Sequence, residues 1–434
     1  MNPALALSVA VLLASASALA ADLPPAGPSP SPSPASPRPA APRAARALTL
    51  AEAEALAREV SAKVETIRGM KFKTPVTVKI ITGAQVREEF KSKLDPKDEE
   101  ELRHTQEAYI QLGLVPPGTD LVKGYLKLGE SGLAGFYEHG SGTFYLLDYV
   151  SAEEAKGVMA HELTHALEDQ HYDLAAIHRK AGDNADHATA ITAVIEGSAM
   201  AVMLAYLGRE EGEEEARAEL HKTQTKRTEA LKVAPSFTQR TLLLPYLLGF
   251  SFLLQGKPWE FYLGGGVHTT DIDEAYRYPP YSTRQILHPE QYWMGRARYK
   301  EQHLALPDLS QVLGPGWSKA SEGSIGELGL AVLTGSRQTI EVPWALIPNR
   351  WTNGAAEGAI GDVYQHYING ERRVTVLLTR WETEIDADQF ARALLVKGKY
   401  FIRYNVNFLL IAGDIGDRGE PVGIAALQGT KFWQ

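Results

Sequence analysis

The sequence predicts an α+β fold: a first unit of helices and short strands, then a smaller α+β unit at the C-terminal end. Three observations carry this. Helical stretches dominate residues 48 to 320, among them the amphipathic "LAEAEALAREVSAKVETIRG" and the apolar residues 185 to 208. Two β-rich segments interrupt them, "TPVTVKIITG" and "LAGFYEHGSGTFYLLD", and the second reads as a hairpin around Gly140-Ser141-Gly142. From about residue 325 the texture changes to "QHYINGERRVTVLLTRW", "DADQFARALLVKG" and "YFIRYNVNFLLIAGD", a strand, helix, strand series.

The N-terminal segment falls outside both units. "MNPALALSVAVLLASASALAAD" has an apolar run too short to span a membrane and ends in the A-x-A site Ala18-Leu19-Ala20. It lacks Lys and Arg, so only the terminal amine is positive there. The expectation is a signal peptide over residues 1–20, cleaved near Ala20, and a secreted or periplasmic protein with no stable membrane span after cleavage. The alternative is an uncleaved N-terminal anchor. Residues 21–47, rich in Pro, Ala and Ser, have no apolar periodicity and read as an extended linker.

Thr49 is a candidate N-cap for the first helix, so the folded part is expected to begin there. A charged helix through "DPKDEEELRHTQEAYIQLGL" should end before Pro116-Pro117. The run "EEGEEEARAELHKTQTKRTEA" reads as a solvated segment. "TLLLPYLLGFSFLL" is apolar but too short for a membrane and contains Pro245, so it reads as a core helix. The expected domains are 48–320 and 325–434, and the second carries no obvious catalytic residues.

Composition excludes several classes of function. The 434 residues carry a net charge of -9 and no long basic cluster, which argues against nucleic acid or an anionic membrane as partner. There is no cysteine, so disulfides, thiolate-bound metal, a thiol nucleophile and a lipoprotein anchor are all excluded.

The chemistry is concentrated in "AHELTHALEDQHYDL", residues 160–174, which contains HExxH. His161 and His165 are separated by about 400° of helical rotation, so they share a face one turn apart and can reach one zinc ion. Glu162 points about 100° away, beside the metal, where it can act as general base on a water whose pKa zinc lowers to about 7. Two histidines and a glutamate in an apolar-faced helix are costly unless paired or metal-bound.

Two residues compete to be the third ligand. His171 fits HExxHxxGxxH except that Glu168 stands at the glycine position. If the helix continues through Glu168, His171 lies about 9 Å beyond His165 along the axis and off the ligand face. Glu196, in "TAVIEGSAMAVML", is the only acid between Asp186 and Glu210, and Gly197 beside it permits close backbone approach. A lone carboxylate there is expensive without a cation. The sequence favours His161, His165 and Glu196 around one Zn2+ ion, with His171 as the alternative. Asp169 is either a carboxylate receiving a ring N–H from a ligand histidine or a solvated charge. In "YRYPPYSTRQILHPEQYW", His288 is the first candidate donor to a reaction oxyanion and Tyr281 or Tyr292 the second, against a structural role in a Pro-rich loop.

In order along the chain, "AGFYEHGSGTFYLLD", "AHELTHALEDQHYDL", "VIEGSAM", "LLLPYLLGFSFL" and "STRQILHPEQY" resemble exported HExxH proteins of bacteria and archaea that look like gluzincin-type metallopeptidases. The matching pieces span about residues 50 to 295. The resemblance implies a zincin-like core: a small sheet whose edge strand binds peptide, an active-site helix and a second helix carrying the glutamate. It implies His161, His165 and Glu196 as ligands and Glu162 as base, and it favours a functional His288. In thermolysin-like gluzincins an aspartate follows the glutamate ligand by four, where this chain has Met200, so support for the ligands must come from elsewhere.

The expectation is therefore a zinc metallopeptidase acting on a peptide or protein substrate. The alternatives are a non-catalytic zincin-fold module binding peptides or envelope components, or a zinc amidase acting on cell wall.

Overall fold

The computed structural model describes residues 46–433 except 94, 125–132, 183, 215–216, 219–233, 256–260, 262–263, 265, 295–302, 339–346 and 395–399. The expected signal segment, all but the end of the linker and much of the charged run after Glu210 lie outside the described residues. Within them the architecture is α+β.

Helix α1 (Leu50–Arg68) opens on a capping box, Thr49 and Glu52 each satisfying the other's backbone N–H. It closes on Gly69, whose φ of 69° suits the left-handed C-cap. Then follow β1 (Thr77–Ile81), α2 (Gly83–Lys93) and α3 (Pro96–Leu112), the last capped by Asp95. Strands β2 (Gly135–Glu138) and β3 (Thr143–Leu147) form the expected hairpin. β1 joins β3 in parallel, giving the order β1-β3-β2 and, among the described residues, leaving β2 with one partner.

The motif helix α4 (Ala152–Tyr172) starts on the Ser151 cap and runs unbroken through Glu168. After the short α5 (Leu174–Arg179) comes α6 (Ala185–Glu210). Its central residues are buried on every face, which explains its uniformly apolar sequence. It is apolar and long enough to cross a membrane, yet its apolar window lies wholly inside the protein. α7 (Ser236–Leu254) packs beside it as the expected core helix, Pro245 included. The two axes approach closely because glycines face each other's backbone. A Cβ built on Gly197 would run into the Gly249 carbonyl, and one built on Gly249 into that of Ala193. α8 (Thr269–Arg277), α9 (Thr283–Leu287) and α10 (Pro289–Trp293) complete the helical half.

The C-terminal half is a five-stranded antiparallel sheet. It is built from β5 (Ser318–Gly323), β6 (Ala359–Asn369), β7 (Arg372–Trp381), β8 (Tyr400–Tyr404) and β9 (Asn407–Gly413), in the order β5-β6-β7-β9-β8. The short β4 (His303–Ala305) pairs with β10 (Lys431–Trp433). The expected boundary at 320–325 falls within β5, which pairs with β6.

Both faces of the sheet are buried: Leu377 and Leu410 point to one core, Val376, Leu378 and Leu409 to another. Strands apolar on both faces need cover on both. α11 (Gly326–Leu333), α12 (Glu384–Ala393) and α3, from far upstream, cover the first face, and α13 (Gly419–Gly429) covers the second.

Candidate metal centre

α4 and α6 lie side by side and bring His161, His165 and Glu196 together in the interior. Glu196 Oε2 is 3.1 Å from His161 Nε2 and 3.4 Å from His165 Nε2, and the two ring nitrogens are 3.2 Å apart. All three side chains are buried. Tetrahedral zinc with bonds of 2.0–2.1 Å sets its ligand atoms about 3.3–3.4 Å apart. The triangle therefore has the size of one face of such a tetrahedron.

Its chemistry fits a cation as well. His165 Nδ1 and Glu196 Oε1 have no hydrogen-bond partner, so the cluster is not built to satisfy itself by hydrogen bonds. Burial disfavours charge on Glu196, but the adjoining histidines outweigh it and hold the carboxyl below its usual range. Burial likewise works against a charged His165, and Glu196 outweighs it, drawing the ring's pKa upward. His161 also stacks against Tyr246 of α7, with centroids 6.3 Å apart.

Glu162 lies on the adjoining face of α4, fully buried, and its Oε2 accepts the Tyr137 backbone N–H of β2 at 2.9 Å. β2 can lie this close because Gly135 has no side chain: a Cβ there would press on Val158 and the Tyr145 carbonyl.

The Tyr137 hydroxyl donates to Asp169 Oδ2 at 3.0 Å, and the His139 ring lies 3.5 Å from the same oxygen. Burial and the neighbouring Asp169 keep the phenol protonated. Asp169 is partly buried, and its bonds run to Tyr137 and the Leu174 backbone rather than to a ligand histidine. It ties β2 and the start of α5 to the end of α4.

His171 is excluded from the cluster. With Glu168 helical, the ring projects outward and its Nε2–H donates to the Lys71 carbonyl at 2.8 Å. Glu168 instead forms a buried clamp. It accepts from Arg68 Nε at 2.6 Å, Ser198 Oγ at 2.5 Å and the Tyr276 hydroxyl at 2.6 Å, joining α1, α4, α6 and α8. Arg68 also reaches Asp273 at 2.8 Å.

His288 is engaged elsewhere. Its Nε2 sits 2.9 and 3.1 Å from the two oxygens of Glu327 on α11, which also accepts from Thr352. That contact sets the Nε2 atom against Glu327. The N–H is spent on a buried carboxylate that fastens α9 and α10 to α11. Tyr292 donates to the Tyr278 carbonyl, and half-exposed Tyr281 rests on His187.

Tyr137, His139 and the Glu168 clamp were missed from the sequence. The one signal was the aromatic hairpin directly before the motif helix. Compared with known proteins, the chain matches no family model, no curated protein and no solved structure.

Proposed function

We propose that the chain is an exported zinc-dependent metallopeptidase, with one catalytic ion held by His161, His165 and Glu196 and with Glu162 as general base. The observation that carries this reading is the ligand triangle of tetrahedral size with a buried carboxylate on the next helical position. Three protein ligands leave a fourth position open, the pattern of catalytic rather than structural zinc.

Bound zinc supplies Lewis-acid charge and water acidic enough to react at neutral pH. Glu162 receives the proton of the attacking water on a carboxylate oxygen and passes it to the leaving amine nitrogen. The Tyr137 N–H fixes the orientation of that carboxylate. Among the described residues β2 pairs on one side only, so an extended peptide laid along its other edge would run past Glu162.

The test compares zinc content and hydrolysis of unstructured casein in wild type and Glu162→Gln. Zinc in both with cleavage only by wild type is the expected result. A zinc-loaded wild type that cleaves no member of a broad peptide library would favour a peptide- or envelope-binding module, and cleavage of cell-wall amides instead would favour an amidase.

A further inference from the structure

A second cluster of metal-ligand side chains lies where α3 crosses the C-terminal sheet, built from His104 and Glu107 of α3 and His366 of β6. His104 and Glu107 are three residues apart on one helical face. His366 shares its face of β6 with Tyr364, the face α3 covers. His104 is 6% exposed and His366 fully buried.

We propose that His104, Glu107 and His366 form a second, structural site for a divalent transition-metal ion, zinc first among them, that ties α3 to the C-terminal sheet.

The distances suit a shared metal ion as well as they suit an ion pair. Glu107 Oε2 lies 3.3 Å from His104 Nδ1 and 3.3 Å from His366 Nε2. A charge-assisted N–H···O bond closes to about 2.7–2.9 Å. Arg373 Nε makes such a bond to the same oxygen, at 2.8 Å. The histidines stand off from it by equal, longer distances, which match the edge of about 3.3–3.4 Å expected of tetrahedral zinc ligands.

Proton placement agrees. The Thr375 hydroxyl donates to Gln111 Oε1 at 2.7 Å, so it accepts from His366 Nδ1–H at 2.8 Å. With Nδ1 engaged by Thr375, Nε2 is the ring atom left facing the Glu107 carboxylate, where a metal ion would take it. Fixing a ligand imidazole by a hydrogen bond from its other nitrogen is what metal sites require. The second nitrogen of His104 faces Glu100, 3.7 Å away.

Glu107 is braced in turn: Arg373 takes one lone pair of Oε2, and Arg103 binds Oε1 at 3.1 Å. The donor set, two imidazoles and a carboxylate, suits zinc, copper or nickel rather than magnesium or calcium. This inference does not depend on what the HExxH cluster does.

The test is metal stoichiometry in the full chain. Chelator-stripped protein is dialysed against zinc, and bound metal is measured by mass spectrometry. Wild type is expected to bind two equivalents, and His161→Gln/His165→Gln is expected to keep one. Adding His104→Gln, or separately Glu107→Gln, to that variant should weaken the remaining equivalent by more than about tenfold. It should also abolish the rise in melting temperature that zinc produces. Melting curves in chelator, alike for all variants, show that each still folds. A His161→Gln/His165→Gln protein that binds no zinc overturns the proposal, as does one whose remaining equivalent is indifferent to His104, Glu107 and His366. Loss of only the HExxH equivalent in wild type would refute the peptidase reading and leave this site standing.

Discussion

Replacing Glu168 by alanine should destabilise the protein substantially and loosen the metal cluster without touching a ligand. The carboxylate accepts three short hydrogen bonds, from Arg68, Ser198 and Tyr276, and its side chain and that of Arg68 are both 0% exposed. Removing one partner of a buried pair costs about 3–5 kcal/mol, because the remaining charge stays desolvated. Asp273 still reaches Arg68 at 2.8 Å and is partly exposed, which places the cost near the lower end, about 3 kcal/mol. At about 2–4 °C per kcal/mol for a sizeable domain, the melting temperature should fall by about 6–12 °C.

Glu168 is one turn beyond His165 and its partner Ser198 is two residues from Glu196, so the clamp sets how α4 and α6 face each other. Zinc affinity should therefore drop by about 10–100-fold, the usual effect of losing a residue that orients ligands. The double variant Arg68→Met/Glu168→Leu removes both charges and should recover much of the stability. Calorimetry and zinc titration of the three proteins provide the test. A single variant within about 1 kcal/mol of wild type, or a double variant no more stable than the single, would refute the reasoning.

Gly197→Ala should lower the melting temperature despite alanine's better helix propensity, because the new Cβ meets the Gly249 carbonyl; overpacking costs about 1–3 kcal/mol, and an unchanged melt would contradict the close approach. Burial, aided by Asp362 and Glu327, pushes the Asp186 carboxyl up from 3.8 to about 7. Its folded pKa is above the unfolded one, so its stabilising contribution is full below about pH 4 and is lost as pH rises through about 7. Asp186→Asn should then gain on wild type between about pH 4 and pH 7 by at most about 4 kcal/mol, read from melts at each pH, and a parallel pair of stability curves would count against it. His288→Ala should cost stability through the stranded Glu327 while leaving zinc content and the pH profile of any hydrolysis unchanged; a profile shifted on the alkaline side would restore a role in the reaction.

What the sequence made legible was local or strongly periodic. Thr49 as N-cap, the hairpin around Gly140-Ser141-Gly142, the unbroken helix through Glu168 and the lone acid between Asp186 and Glu210 each rest on spacing within about one or two turns of chain. The carboxylate at 196 could be anticipated because an isolated charge in an apolar helix must have a partner. The Glu168 clamp could not, since Arg68 lies 100 residues upstream and Tyr276 108 downstream. Nothing near Glu168 distinguishes it from a solvated helix former. The same distance hid the docking of α3 on the C-terminal sheet and the pairing of β5 with β6. The contact of His288 with Glu327, 39 residues away, left no sign in the Pro-rich loop.

The most direct measurement is zinc-edge anomalous diffraction from crystals of the zinc-loaded protein. An ion about 2.0–2.1 Å from His161 Nε2, His165 Nε2 and a Glu196 carboxylate oxygen, with no fourth protein ligand, is the predicted result. An ion completed by His171, or a Glu196 carboxylate turned away from an ion held by the two histidines, would contradict it.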